Sequence, residues 1–172
     1  MEVKLLSTKR FIILNFFLLG WYSTWWVYKT WKFFETKDNT DYQVPKRVVL
    51  GLGGYHYSLF IKIKRFACHY TSTNKFSCVG QYLIYFFINI YIGFYSLILD
   101  DSPDSSLIFF FVLNIIGSLV FLKPFQYLNS AIKDCGEYKI IEEERFSNTH
   151  KLLIVTGGLF WLILLLDLFS IL

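Results

Sequence analysis

The chain has 172 residues, of which 55% are hydrophobic and 21% aromatic, and its formal net charge is +4. The apolar residues are grouped in long uncharged runs, which is typical of membrane proteins and argues against a soluble globular class. The 17 Lys and Arg residues flank these runs instead of forming one solvated basic surface, so the sequence also argues against nucleic-acid binding.

The first apolar run predicts a membrane-spanning helix over residues 11–31. Aliphatic residues fill its first half, and Trp, Tyr and Lys crowd its second half, as at a membrane–water interface. These residues form the aromatic–basic cluster, which consists of Trp21, Tyr22, Trp25, Trp26, Tyr28, Lys29, Trp31 and Lys32. Residues 1–10 resemble the start of a signal peptide, but no small-residue cleavage site follows, so we expect an uncleaved span.

A second, shorter apolar segment follows at residues 45–66. Pro45 suits a helix start, and the apolar stretch from Val48 to Ile61 is only fourteen residues long, with basic residues on both sides. A helix of this length rises ~21 Å, which is short for a bilayer core of ~30 Å. We therefore predict an interfacial or re-entrant helix, and a true span remains the alternative.

Three further spans are predicted in the rest of the chain. Residues 79–99 and 106–122 form a helical hairpin around the acidic turn from Asp100 to Asp104, and residues 152–172 form the last span. Residues 123–151 are predicted to be a partly amphipathic cytoplasmic segment. The expected fold is therefore one all-α, polytopic helical membrane domain over residues 1–172.

The distribution of basic residues predicts the topology. With four spans, fourteen Lys and Arg residues lie inside and three outside; with five spans, twelve lie inside and five outside. The positive-inside rule therefore favours four spans slightly. Both alternatives place the acidic turn and the C-terminus on the non-cytoplasmic side.

Several polar residues are candidates for function inside the membrane. Asn89, Asn114 and Asp167 fall within predicted spans, where buried amides pair with one another and carboxylates are costly. Two interpretations of the asparagines compete, namely helix–helix hydrogen bonding and an ion path. No catalytic motif and no metal-ligand spacing occurs around Cys68, Cys78 or Cys135, so we expect no catalytic residue, no metal and no cofactor.

Three segments in order resemble a family of small, uncharacterised bacterial membrane proteins. Residues 21–32 are similar to the family signature Tyr-x-x-Tyr-Trp-x-Tyr-Lys-x-Trp-Lys. Residues 45–62 and 124–129 are similar to the segments that follow in that family, which begin Pro-x-x-Arg and Pro-x-Gln. The resemblance implies a helical fold and a multi-pass location in the bacterial inner (cytoplasmic) membrane, and it implies no activity.

These observations predict a non-enzymatic integral membrane protein, an accessory or assembly subunit of a larger membrane complex. The aromatic–basic cluster would hold other membrane protein subunits or anionic lipid headgroups, and the competing interpretation of the cluster is an ordinary interfacial anchor. The alternative is a small oligomeric transporter or channel for ions or lipids. A third hypothesis, a lipid-modifying enzyme, depends on Glu142, Glu143 and Glu144 with His150, a run that predicts a solvated helical face.

Overall fold

The computed structural model describes residues 2–50, 54–70, 77–98, 103–143 and 145–171, without the side chains of residues 95–98, 103–110 and 167–171. The described part is helical, as predicted, and it also contains one small sheet. In chain order its elements are β1 (Glu2–Leu5), α1 (Thr8–Phe17), α2 (Trp21–Asp38), α3 (Val44–Val49), α4 (Tyr55–Tyr70), α5 (Cys78–Ile98), α6 (Pro103–Leu119), α7 (Leu122–Cys135), β2 (Lys139–Glu142) and α8 (Asn148–Ile171).

The prediction of one continuous helix over residues 11–31 is wrong, because the chain turns between α1 and α2. Leu19 and Gly20 have φ angles of 52° and 87°, in the left-handed region that ends a helix. The Asn15 side chain stabilises the turn: its Nδ2 donates to the Phe11 carbonyl at 3.0 Å, and its Oδ1 accepts the Ser23 N–H at 2.9 Å. A glycine inside an uncharged apolar run gave no sequence signal for this turn.

After the turn, α2 folds back along α1. The Phe11 ring, near the start of α1, lies 5.9 Å from the Tyr22 ring and 6.0 Å from the Trp26 ring. The two helices therefore form a hairpin, and the basic residues that flank residues 11–31 lie at the same end of the molecule. A single span would place them at opposite ends.

An aromatic core joins α1, α2, α4 and α7. Phe11 stacks on Phe125 with ring centroids 4.3 Å apart, and Phe33 packs edge-on against Phe66 at 5.7 Å. Each such ring removed from water contributes roughly 1.5–3 kcal/mol. The core residues of α4 recur at helical spacing, and they are His56, Leu59, Phe60, Ile63, Phe66 and Ala67.

Two predicted segments have a different structure from the expected one. The single helix over residues 45–66 is two helices, α3 and α4, and α4 packs against α7 with a fully buried face. The predicted cytoplasmic segment, residues 123–151, contributes α7 to the same core. Burial of these amphipathic faces explains both differences, since each helix covers the other.

The small sheet was not predicted from the sequence. β1 and β2 pair in parallel, with Glu2 opposite Lys139 and Leu5 opposite Glu142. Lys139 Nζ lies 2.6 Å from Glu2 Oε1, and Asn129 Nδ2 donates to the Leu6 carbonyl at 2.9 Å. These contacts fix the segment before α1 beside β2 and the middle of α7.

Two described helices are long and apolar enough to cross a membrane, so four transmembrane helices are not supported. One is Phe111–Cys135, which includes α7 and the tight turn at Val120 and Phe121, and the other is Asn148–Leu166. Only 11% of the apolar stretch within Asn148–Leu166 is buried, so this helix is not a core helix of the described chain. Cys78–Phe94 is a shorter apolar helix.

The apolar helices extend away from the aromatic core. Ile88 of α5 faces Gly117 of α6, and the Phe160 ring of α8 lies 5.6 Å from the Phe111 ring of α6. The turn of the α1–α2 hairpin reaches these helices at mid-length, where Trp161 Nε1 donates to the Phe16 carbonyl at 3.1 Å. Outward side chains of α5 and α8 are exposed and mostly aliphatic or aromatic.

Candidate functional site

The aromatic–basic cluster divides between two faces of α2. Tyr22, Trp26 and Trp31 face the core and are each at most 8% exposed. The other members form a line along the outer face, at the spacing of three and four residues that places side chains on one side of a helix. We call this line the α2 stripe, and it consists of Trp21, Trp25, Tyr28, Lys29 and Lys32.

The α2 stripe presents aromatic rings and positive charges to its surroundings. Trp21 is 72% exposed and Trp25 is 49% exposed. Trp25 stacks on Tyr28 with centroids 5.3 Å apart, and Lys29 Nζ lies 5.5 Å from the Trp25 ring. The opposite face of α2 is buried in the core, so the stripe has a fixed backbone behind it.

A groove of about 640 Å³ lies between the α2 stripe and the start of α8. We call it the α2–α8 groove. One wall comes from α2 and the α1–α2 turn, the other from the first turns of α8, and Lys4 of β1 and Glu143 also line it. Its lining residues are Lys4, Leu18, Trp21, Tyr22, Trp25, Lys29, Glu143, Ser147, Thr149, His150 and Leu153.

His150 is the buried polar residue of this groove. It is 8% exposed, and its ring lies 5.9 Å from that of Tyr22. Its backbone N–H donates to Ser147 Oγ at 3.2 Å, which caps the first turn of α8. Nδ1 lies 3.6 Å from Glu143 Oε2 and has no hydrogen-bond partner among the described residues.

The predicted solvated face at residues 142–144 is therefore wrong for Glu143. Its side chain is only 19% exposed and faces His150. Sequence reasoning missed this pairing because β2 and the start of α8 are positioned by β1, which is far away in the chain. Glu144 lies outside the described residues.

A second, smaller cavity of about 130 Å³ lies between the α1–α2 turn, α5 and α6. Asn89 and Asn114 both line it, together with Ser118 and Gly20. The structure thus brings together two of the three predicted intramembrane polar residues, and Asn89 Nδ2 also donates to the Tyr85 carbonyl at 2.8 Å. The side chain of Asp167 lies outside the described part of the structure.

Sequence reasoning missed a polar and aromatic cluster at the far end of α2. Asp38 Oδ2 lies 2.5 Å from Lys62 Nζ and accepts a hydrogen bond from the Tyr42 hydroxyl at 2.7 Å. Partial burial alone would raise the pKa of Asp38, but the hydrogen bonds from Lys62 and Tyr42 outweigh it and lower that pKa. These residues are up to 24 positions apart, so their spacing gave no local signal.

Arg47 lies beside the same cluster, at the C-terminal end of α2. Its guanidinium carbon lies 4.6 Å from the Trp31 ring, 4.8 Å from the Tyr42 ring and 5.4 Å from the Tyr55 ring. Such stacking favours a cation that is only weakly hydrated, which describes guanidinium. The arrangement ties the short helix α3 to α2 and α4.

The cysteines are free, with Cys68 exposed and Cys78 buried. Within the described ranges, no group of three or more His, Cys, Asp or Glu side chains is arranged to hold a metal ion. No protein-family model, curated protein or solved structure matches the chain. The bacterial family resemblance therefore stays a prediction.

Proposed function

We propose that the chain crosses the membrane three times, through α5, α6 and α8, and enters it a fourth time with the α1–α2 hairpin. The 21 residues of α5 and the 24 residues of α8 rise ~31 and ~36 Å, which is enough for a hydrocarbon core of ~30 Å. Their outward apolar side chains are exposed, as lipid-facing side chains are. The aromatic core and the sheet then lie at the inner surface.

Charge supports this topology. Every Lys and Arg falls within residues 4–75 or 123–151, and none falls within the hairpin of α5 and α6 or after residue 151. With α1 and α2 as a re-entrant hairpin, all 17 basic residues lie on one side of the membrane. The four-span alternative leaves three of them on the other side, so the hairpin agrees better with the positive-inside rule.

The function we propose is that of an accessory or assembly subunit, which binds another membrane protein through the α2 stripe and performs no catalysis. The observation that carries this proposal is the pair of exposed tryptophans, Trp21 and Trp25, on a helix whose opposite face is buried in the core. Large, preorganised aromatic rings contribute most of the binding energy in protein interfaces.

Copurification tests this proposal. The chain would be isolated from native membranes in a mild detergent, and the stoichiometry of bound membrane proteins compared with that of the variant W21A/W25A. The control is L162A, which removes a side chain that is 56% exposed on α8. We expect a partner at fixed stoichiometry that is lost only in W21A/W25A. A solitary chain, or equal loss in L162A, would contradict the proposal.

The cavity at Asn89 and Asn114 favours a second candidate, a small oligomeric transporter or channel. Broken helices whose turns face polar side chains at mid-membrane form ion and substrate sites in transporters. Here the α1–α2 turn and both asparagines meet at one cavity, which has room for water. Ion flux into proteoliposomes that is lost in Asn114→Leu would support this candidate, and proteoliposomes without flux would remove it.

A further inference from the structure

We propose that the α2–α8 groove binds one anionic glycerophospholipid, with the lipid phosphate beside Lys4, Lys29 and His150. The inference deepens the proposed function and rests on its membrane placement alone, not on a protein partner. The lipid would occupy the side of α2 next to the stripe, so it would form part of the surface that a partner contacts.

Both walls of the groove change from polar to apolar toward the α1–α2 turn. On the α2 wall, Lys29 is farthest from the α1–α2 turn, Trp25 lies one helical turn closer to it, and Leu18 lies in the turn itself. On the other wall, Ser147, Thr149 and His150 lie at the start of α8, and Leu153 lies one helical turn further along α8. This gradient matches a phospholipid, whose charged headgroup is attached to apolar chains, and it does not match a free anion or a peptide helix.

Charge favours an anionic headgroup at the polar end. Lys4 and Lys29 are exposed there, and Glu143 is the acidic side chain that lines the groove with them. The first turn of α8, which carries the positive end of the helix dipole, lines the same groove as the two lysines. A zwitterionic lipid would bring its own cation close to the lysines, so it would bind less well.

His150 supplies the observation that separates a binding site from a basic surface. The residue is more than nine-tenths buried, it lines the groove, and its Nδ1 lacks a hydrogen-bond partner among the described residues. A buried polar atom without a partner is costly, and Glu143 Oε2, at 3.6 Å, is too distant for a hydrogen bond. A turn of the imidazole ring toward the groove would let Nδ1–H donate to a phosphate oxygen. The volume of about 640 Å³ also falls within the range of roughly 300–1,000 Å³ typical of ligand sites.

Lipid binding in detergent solution tests the inference. The purified chain would be titrated with phosphatidylglycerol, with phosphatidylcholine and with inorganic phosphate, and the rise in its thermal unfolding midpoint would give an apparent Kd for each. The groove variant is K4Q/K29Q. The matched control is K9Q/K46Q, which also removes two lysine charges, from exposed positions that neither line the groove nor belong to the α2 stripe.

We expect tighter binding of phosphatidylglycerol than of phosphatidylcholine, a weakening of at least about tenfold in K4Q/K29Q, and less than twofold in the control. If the double variant does not fold, K4Q alone repeats the test at an exposed strand position. Equal binding of the two lipids, an equal loss in the control, or equal protection by inorganic phosphate would overturn the inference.

The same preparation separates this inference from the proposed function. A chain that stays in the membrane pellet after alkaline extraction but shows no lipid preference refutes only the lipid site. A chain that is released into the supernatant refutes the membrane placement, and the lipid site with it.

Discussion

At the residue scale, His56 is a titratable group held inside the aromatic core. It is 5% exposed, its ring lies 4.9 Å from that of Tyr85 and 5.4 Å from that of Phe121, and its Nδ1 is unpaired within the described structure. Burial lowers the pKa of His56 from 6.5 to about 4. Between about pH 4 and pH 6.5, the His56 imidazole is therefore neutral in the folded chain and protonated in the unfolded chain.

This burial makes stability depend on pH. Below pH 6.5 the unfolded state binds a proton that the folded state does not, so stability decreases as pH falls, until the folded state is protonated near pH 4. The expected loss between pH 7 and pH 5 is about 2 kcal/mol. The free energy of unfolding would be measured by denaturant titration at each pH. His56→Phe should remove this decrease in stability between pH 7 and pH 5. An unchanged pH dependence in the variant would mean that His56 is solvated in the folded chain.

Arg47 gives a second prediction at this scale. Arg47→Lys keeps the charge but loses the planar stacking on Trp31 and Tyr42, so we expect the free energy of unfolding to fall by about 1 kcal/mol. Lys46→Met, at the exposed neighbouring position, should change it by less than about 0.5 kcal/mol. Equal effects of the two substitutions in chemical denaturation would show that the stacking contributes nothing.

Residue types could be predicted from the sequence, but not the direction in which they face. The density of Trp, Tyr and Lys after residue 20 identified a special segment, and both asparagines now line one cavity. Both faces of α2 carry tryptophan, however, so periodicity could not tell that Trp26 is buried and Trp25 is exposed. That distinction depends on α4 and α7, whose positions are set by tertiary packing.

At the element scale, the α1–α2 turn depends on one glycine. A Cβ at Gly20 would lie 2.6 Å from the Asn114 carbonyl oxygen, and the φ angle of 87° disfavours any L side chain. We expect Gly20→Ala to reduce the free energy of unfolding by at least about 2 kcal/mol, because the hairpin must move away from α6.

Gly93 of α5 is the matched control for that substitution. A Cβ there would meet nothing within 4 Å, and its backbone is helical. Gly93→Ala should therefore be neutral or stabilise the helix by up to about 1 kcal/mol. Thermal unfolding in one detergent compares the two variants, and a Gly20→Ala variant as stable as Gly93→Ala would refute the close approach.

The parallel sheet gives another prediction for an element. Proline cannot donate to a strand ladder, so Val3→Pro should separate β1 from β2. Amide hydrogen exchange in residues 139–142 should then increase by at least about tenfold, whereas Lys9→Ala, outside the sheet, should leave it unchanged. If exchange at residues 139–142 does not change, the pairing does not persist in solution.

Composition was enough to locate three elements, because long uncharged runs coincide with α5, α6 and α8. It was not enough for the turn at Gly20 or for the sheet. The partners β1 and β2 are 137 residues apart at the Glu2–Lys139 pair, and each has only four residues, which is too short to show a convincing alternation. Contacts of this kind arise from the assembled fold and not from any local pattern.

At the scale of the whole molecule, the two ends have opposite character. One end holds the aromatic core, the sheet and the basic residues that the structure describes, and the other holds apolar helices with exposed side chains. The α1–α2 hairpin joins them, because its turn contacts the apolar helices while both its ends lie beside the sheet. This asymmetry is the physical basis of the proposed topology.

The last prediction tests that topology directly. Single cysteines would replace Lys9, in the first turn of α1, and Thr36, near the end of α2, in a chain whose native cysteines are removed; both positions are exposed. A re-entrant hairpin places the two on the same side, so a membrane-impermeant maleimide should label both only after the inner side is made accessible. Asp104→Cys, in the predicted outer turn, should be labelled in intact cells. Labelling of positions 9 and 36 from opposite sides would establish a true span over residues 11–31 and disprove the hairpin in the membrane.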